Sequence, residues 1–143
     1  MIVSSVLQDK STNLVTVTPD MTIHETAKLL AKHKIGAVIV KENSKMAGIV
    51  SERDIVREFS KTDDGCSKIP VSSIMTRSVK TTSPDVSLTD VLTIMTSGRF
   101  RHMPVLANEE IVGIVSIGDI VKFRLKELET EAENLSAYVS GGY

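Results

Sequence analysis

The residues with the clearest chemical logic occur twice. Gly48-Ile-Val-Ser51-x-x-Asp54 is repeated as Gly113-Ile-Val-Ser116-x-x-Asp119. Each block ends an apolar strand, and the Ser is the natural first cap of the helix that follows. The free N–H groups at such a helix start attract an anion, and a Ser hydroxyl can join them. An Asp one turn on can accept two hydroxyls from a ribose cis-diol, each bond to a charged acceptor contributing about 1.5–3 kcal/mol. A nucleotide supplies anion, hydroxyls and diol together. The structural alternative is a plain helix start with an acid in its first turn. Two copies in identical register, each with Gly three residues before the Ser, weigh against that alternative.

Other chemistry finds little support. The sequence holds no P-loop, no GxGxxG and no HExxH. His24 and His33 stand nine residues apart on one predicted helix, half a turn out of phase, so they cannot share a metal. Cys66 lies in a polar joint with no neighbouring His, which leaves thiol catalysis without a base.

The elements that position the two motifs follow from an internal repeat. Residues 19–57 superpose on 84–122 at an offset of 65, with 11 identities in 39 positions, concentrated in GIVSxxDIV. The preceding segment recurs as VSSVL at 3–7 and VSSIM at 71–75. The expected organisation is a first repeat over 1–59, a linker over 60–70, a second repeat over 71–125 and a helical extension over 126–143. Each repeat reads β-α-β-β-α. A short strand (Leu14–Val17; Val79–Thr81) precedes a helix capped by Thr22-x-x-Glu25 or Ser87-x-x-Asp90. Two strands follow, joined by turns at Asn43 and Asn108, and a second helix starts at Ser51 or Ser116. The fold class is α/β (α+β), with two pseudo-symmetric repeats packed sheet to sheet, because a unit of about 55 residues buries too little surface alone.

Beyond Ser116 the helix carries Val121, Leu125, Leu128, Ala132, Leu135 and Val139, spaced 4, 3, 4, 3, 4 and flanked by charge. That seam predicts pairing with a second copy, the alternative being a helix folded back on its own domain.

Composition narrows the function classes. The 143 residues carry 17 Lys+Arg against 18 Asp+Glu, a net charge of −1 that gives no field for DNA, RNA or an anionic membrane. Aromatics are 3% with no Trp, so the core is aliphatic and stacking surfaces are scarce. A single cysteine suits a reducing cytosol. The first residues lack the pattern of a signal peptide, and no apolar run reaches the roughly 20 residues that span a bilayer. A soluble, cytoplasmic chain is expected.

Two β-α-β-β-α copies ending in GIVSERDIV and GIVSIGDIV, with HMPV before the second, resemble a tandem pair of CBS domains (a Bateman module) over residues 3–125. The resemblance implies clefts between the copies that take adenosine compounds: AMP, ADP, ATP, NAD or S-adenosylmethionine. It implies that Asp54 and Asp119 hold ribose, and that Ser51 and Ser116 meet ribose or phosphate. It also implies that Ile35, Gly36 and Ala37 line the clefts, as do Phe100, Arg101 and His102, with the last two meeting phosphates. The copies differ: Arg53 is matched by Gly118, and Arg101-His102 by Gly36-Ala37. Arg53, Arg101 and His102 are therefore expected to converge on one phosphate group. The bland alternatives are solvated ion pairs for the arginines, a strand-start histidine, and a tight turn at Gly36-Ala37.

The expected function is a homodimeric, non-catalytic sensor that binds an adenine nucleotide, AMP before NAD(H) with ATP possible, and modulates a partner protein. No metal and no catalytic cofactor are expected. IMP dehydrogenase carries such a pair as a regulatory insert, but its catalytic barrel has no room in this chain. The alternative function is a ligand-free oligomerisation or protein-interaction module.

Overall fold

A computed structural model describes residues 1–10, 14–62 and 65–141. Helix α1 (Val3–Lys10) is followed by strand β1 (Thr16–Val17), helix α2 (Ile23–His33), strands β2 (Ala37–Glu42) and β3 (Lys45–Ser51), and helix α3 (Glu52–Lys61). A 3-10 turn at Val71–Ser73 opens the second half. Helix α4 (Leu88–Gly98), strands β4 (His102–Ala107) and β5 (Glu110–Ser116), and helix α5 (Ile117–Gly141) complete the chain. The strands form a β1-β2-β3 sheet and a β4-β5 sheet.

The repeat is visible at each turn. Thr22 and Ser87 accept the backbone N–H of Glu25 and Asp90, both at 3.1 Å, as the capping pattern predicts. Asn43-Ser44 and Asn108-Glu109 take paired positive φ values (51° and 66°; 52° and 69°), the geometry that matches a two-residue hairpin to strand twist. Both hairpins carry a register shift at the same place, Val40/Lys41 and Val105/Leu106.

One expected strand is reduced. Val79–Thr81 forms no ladder, and only Thr82 bridges Val105 in parallel. Thr82 N–H donates to the Pro104 carbonyl and Leu106 N–H to Thr82. The next donor along β4 would be the amide of residue 104, and proline has none.

The segments ahead of each repeat are exchanged. Val3 and Val6 of α1 are buried among Leu88, Val91, Met95, Met103 and Val105 of the second repeat. Val71, from the second half, is buried with Val17, Ile23, Val38 and Val50 of the first. Backbone bonds fix both: Val3 to Val86 and Leu88 to Met1 on one side, Ile23 to Ile69 and Val71 to Met21 on the other. Burying an aliphatic side chain of this size contributes about 1.5–3 kcal/mol, so α1 and the Val71 turn bind the two halves into one unit. The predicted linker at 60–70 is accordingly short. Its Asp63 and Asp64 lie outside the described residues, while Cys66 is only 1% exposed in the core of the first repeat. That burial takes its thiol away from any reactant.

Helix α5 runs unbroken for 25 residues. Ile120 is buried and Phe123 packs against the second core, but Val121, Leu125, Leu128, Leu135 and Val139 are exposed. The seam does not fold back on the described residues. Among the described residues, no helix is long and apolar enough to cross a membrane.

Candidate functional site

Two cavities lie between the repeats, and each takes its S-x-x-D motif from one repeat and its opposite wall from the other. The first, about 420 Å³, is lined by Ser51, Arg53 and Asp54 together with Phe100, Arg101 and His102. The second, about 380 Å³, is lined by Ser116 and Asp119 together with Ile35, Gly36 and Ala37. Ala37 and His102 reach both. All eleven predicted site residues therefore line one cavity or the other, and the three basic candidates Arg53, Arg101 and His102 share the Asp54 cleft. Volumes near 400 Å³ fall in the range of small-molecule sites, about 300–1,000 Å³.

The strand starts are tied to the helix starts. Glu52 N–H donates to the Gly36 carbonyl at 2.9 Å, and Ile117 N–H donates to Arg101 at 3.0 Å. Each S-x-x-D is thereby held beside the strand start of its own repeat, which in turn forms the wall of the other cleft. Gly36 brings its backbone close to the other repeat: a Cβ there would lie 3.1 Å from His102 Nε2, and the imidazole would have to shift by a few tenths of an ångström to admit it.

Both motifs form capping boxes. Asp54 N–H donates to Ser51 Oγ at 3.3 Å, while Ser51 N–H donates to Asp54 Oδ2 at 2.8 Å. In the second copy Asp119 N–H donates to Ser116 Oγ and Ser116 N–H donates to Asp119 Oδ2, both at 3.0 Å. The cap uses one carboxylate oxygen. Among the described residues, Asp54 Oδ1 meets only the largely exposed Arg57, at 3.4 Å. The structural and ligand roles of the motif are thus compatible in one side chain, with Oδ2 for the cap and Oδ1 for a hydroxyl.

The two carboxylates differ in their company. Lys10 Nζ, at the end of α1, donates to Asp119 Oδ2 at 2.8 Å and to the Ile114 carbonyl at 3.0 Å. Burial pushes the Asp119 carboxyl up, but the Lys10 hydrogen bond and charge, with Ser116, outweigh it and hold the group below the ordinary 3.8. A lowered folded-state value contributes stability that is present above the ordinary value and is lost as pH falls through the folded one. Lys10→Met is expected to cost about 1 kcal/mol near neutral pH. That deficit should shrink as pH drops below 3.8, where Asp119 protonates in both proteins. Melting temperatures of the two proteins across pH 2–7 check this; a deficit independent of pH would rule out the ion pair as its source.

His102 is shifted too. Burial lowers its value from 6.5, opposed by Asp119 and Glu52 and aided by Lys10 and Arg101. The shift favours the uncharged imidazole, which serves as a hydrogen-bonding group.

The structure adds residues that sequence reasoning passed over. Arg57, Lys80 and Arg99 also line the Asp54 cleft, and Lys10, Lys34 and Lys122 the Asp119 cleft. Four of these were detectable, since Lys34/Arg99 and Arg57/Lys122 are like-charged pairs at the repeat offset of 65. Lys10 and Lys80 fall in segments with no such signal. Among the described residues, no cluster of three or more His, Cys, Asp or Glu is placed to hold a metal.

Comparison with known proteins gives a consistent picture. The family model for the CBS domain matches residues 3–61 and again 71–126. A CBS domain-containing protein of Arabidopsis thaliana is 34% identical over 131 residues, covering 88% of this chain but only 64% of its own length. A CBS-domain containing protein from Agrobacterium tumefaciens superposes with a TM-score of 0.83 at 40% identity, over 87% of this chain and 99% of that one. A CBS domain protein from Pyrobaculum aerophilum, complexed with AMP, superposes at 0.76 with 27% identity, covering 91% and 99%. The CBS domain pair of protein MJ0100, in complex with 5′-methylthioadenosine and S-adenosyl-L-methionine, gives 0.77 with 28% identity, covering 89% and 98%.

Proposed function

The chain belongs to the CBS-domain family, with two copies of the domain, and from that premise we propose that it is a regulatory module binding an adenine nucleotide between its repeats. The observation that carries the proposal is the reciprocal make-up of the clefts. Each joins a Ser–Asp pair from one repeat to a strand start from the other, with a carboxylate oxygen beyond the one used by the cap. Complexes of related pairs with AMP and with S-adenosylmethionine support the same ligand class. Because the cleft walls come from both repeats, an occupant that prefers one spacing of the repeats shifts the population toward it. That spacing is what a partner protein would read, and no catalytic step is needed.

A thermal-shift series with AMP, ADP, ATP, NAD(H) and S-adenosylmethionine, each at about 1 mM, tests the reading. A ligand at 100 times its Kd adds about 2.7 kcal/mol, a rise of several degrees at this size. A shift with one or more adenine compounds is expected. A flat series from nucleotide-free protein would reject the ligand role and leave assembly as the function.

Assembly has its own support in α5. Its exposed seam is flanked by Lys122, Arg124 and Lys126 in the first half and by Glu127, Glu129, Glu131 and Glu133 in the second. Antiparallel pairing with a second copy sets each basic half beside an acidic one and buries the seam. The chain is expected to sediment as a dimer, and Leu125→Glu with Leu128→Glu to sediment as a folded monomer. An unaltered dimer in the double variant would place the interface elsewhere.

A further inference from the structure

Five cations line the Asp54 cleft: Arg53, Arg57, Lys80, Arg99 and Arg101, against one acid, Asp54. Among the described residues, only Arg57 of these joins an ion pair, at 3.4 Å. The pseudo-equivalent cleft is nearly balanced, with Lys10, Lys34 and Lys122 against Asp9 and Asp119, and Lys10 already occupied by Asp119. A chain of net charge −1 thus gathers most of its unpaired positive lining on one side of its pseudo-two-fold axis. The concentration exceeds what the single dianionic phosphate of a nucleoside monophosphate needs.

Arg99 ends α4 in the left-handed conformation, φ 57°, as Lys34 ends α2 at φ 54°, so the shared geometry of the repeat brings a cation from a helix end to the rim of each cleft. The excess on the Asp54 side comes from Arg53, Arg57, Lys80 and Arg101 beside it.

We infer that the Asp54 cleft is a nucleoside polyphosphate site in which Arg99 and Lys80, with Arg57, select for the phosphates beyond the first. The inference rests on the nucleotide reading above and adds its phosphate number and location. Asp54 and Ser51 anchor the ribose end, Arg53 and Arg101 meet the first phosphate, and the rim cations neutralise the further charges.

Isothermal titration calorimetry of the intact chain with AMP, ADP and ATP at fixed ionic strength tests it. Affinity is expected to rise along that series, with ATP about tenfold tighter than AMP or more. Arg99→Gly and Lys80→Ala should each weaken ATP by about three- to tenfold and AMP by less than about twofold. Arg99→Gly removes the left-handed arginine, so the unliganded protein should keep its Tm to within about 2 °C, separating a ligand role from a structural one. AMP binding as tightly as ATP would overturn the polyphosphate assignment and leave the nucleotide reading standing. So would an Arg99→Gly protein that loses both ligands equally. Failure of all three to bind would overturn the polyphosphate assignment, and the nucleotide reading would fall with it only if NAD(H) and S-adenosylmethionine also failed.

Discussion

Gly48→Ala should destabilise the protein by about 1–3 kcal/mol, whereas Gly113→Ala, its counterpart in the second repeat, should cost less than about 1 kcal/mol. A Cβ on Gly48 would lie 2.6 Å from the Thr76 carbonyl oxygen and 2.9 Å from Met75 Sδ. Thr76 cannot simply retreat, because it exchanges two backbone hydrogen bonds with Ile49, at 2.9 and 3.0 Å. The same Cβ on Gly113 would meet only the end of the Leu7 side chain, at 3.0 Å, which can change rotamer. Urea unfolding of the two variants measures the difference. Equal, small losses would mean that the first repeat's crossing yields as easily as the second's. Since Thr76 also lines the Asp54 cleft, Gly48→Ala is expected to weaken ligand binding there as well, an effect Gly113→Ala should not have.

This pair also accounts for the glycine of the GIVSxxD motif. Its spacing before the Ser suggests a ligand, yet what crosses over each glycine is protein: Met75-Thr76 in one repeat, Leu7 of α1 in the other. The exchange of leading segments is the part of the fold least legible in the sequence. VSSVL and VSSIM are too short to show a period, and nothing local tells a segment to pack on the distant repeat rather than its own. The elements with strong local determinants were legible. Capped α2 and α4, the two hairpins with Asn at positive φ, and the helix starts at Ser51 and Ser116 all lie where pattern and capping place them. The strand at Val79–Thr81 was misread because the obstacle, Pro104, lies on the partner strand, outside any local window. At the clefts, identity between repeats exposed the Ser–Asp pairs, but charge-preserving pairs such as Lys34/Arg99 lie below that signal. Three cations were counted for the Asp54 cleft where five arginines and lysines and an imidazole that favours its uncharged form line it.

Asp54 is the residue at which the two readings of the motif separate in the test tube. Its Oδ2 accepts Ser51 N–H and Oγ, the work of a cap, while Oδ1 meets only Arg57 among the described residues. If capping were its whole purpose, Asp54→Ala would cost about 1 kcal/mol of stability, as lost caps do, and leave affinity untouched. If Oδ1 also takes a ribose hydroxyl, the same change removes charged hydrogen bonds of about 1.5–3 kcal/mol each, and affinity in that cleft falls at least tenfold, to about 1/10 or less. Asp54→Asn sharpens the contrast. An amide oxygen still accepts from Ser51 N–H, so the helix start and the melting temperature should be largely kept. The full negative charge that draws the diol is gone, so binding should still fall by about tenfold. Calorimetric stoichiometry shows which cleft is affected, because Asp119 is left intact. An Asp54→Asn protein with the parent's affinity would reduce Asp54 to a helix cap and leave the ribose of a bound nucleotide to other acceptors in the cleft.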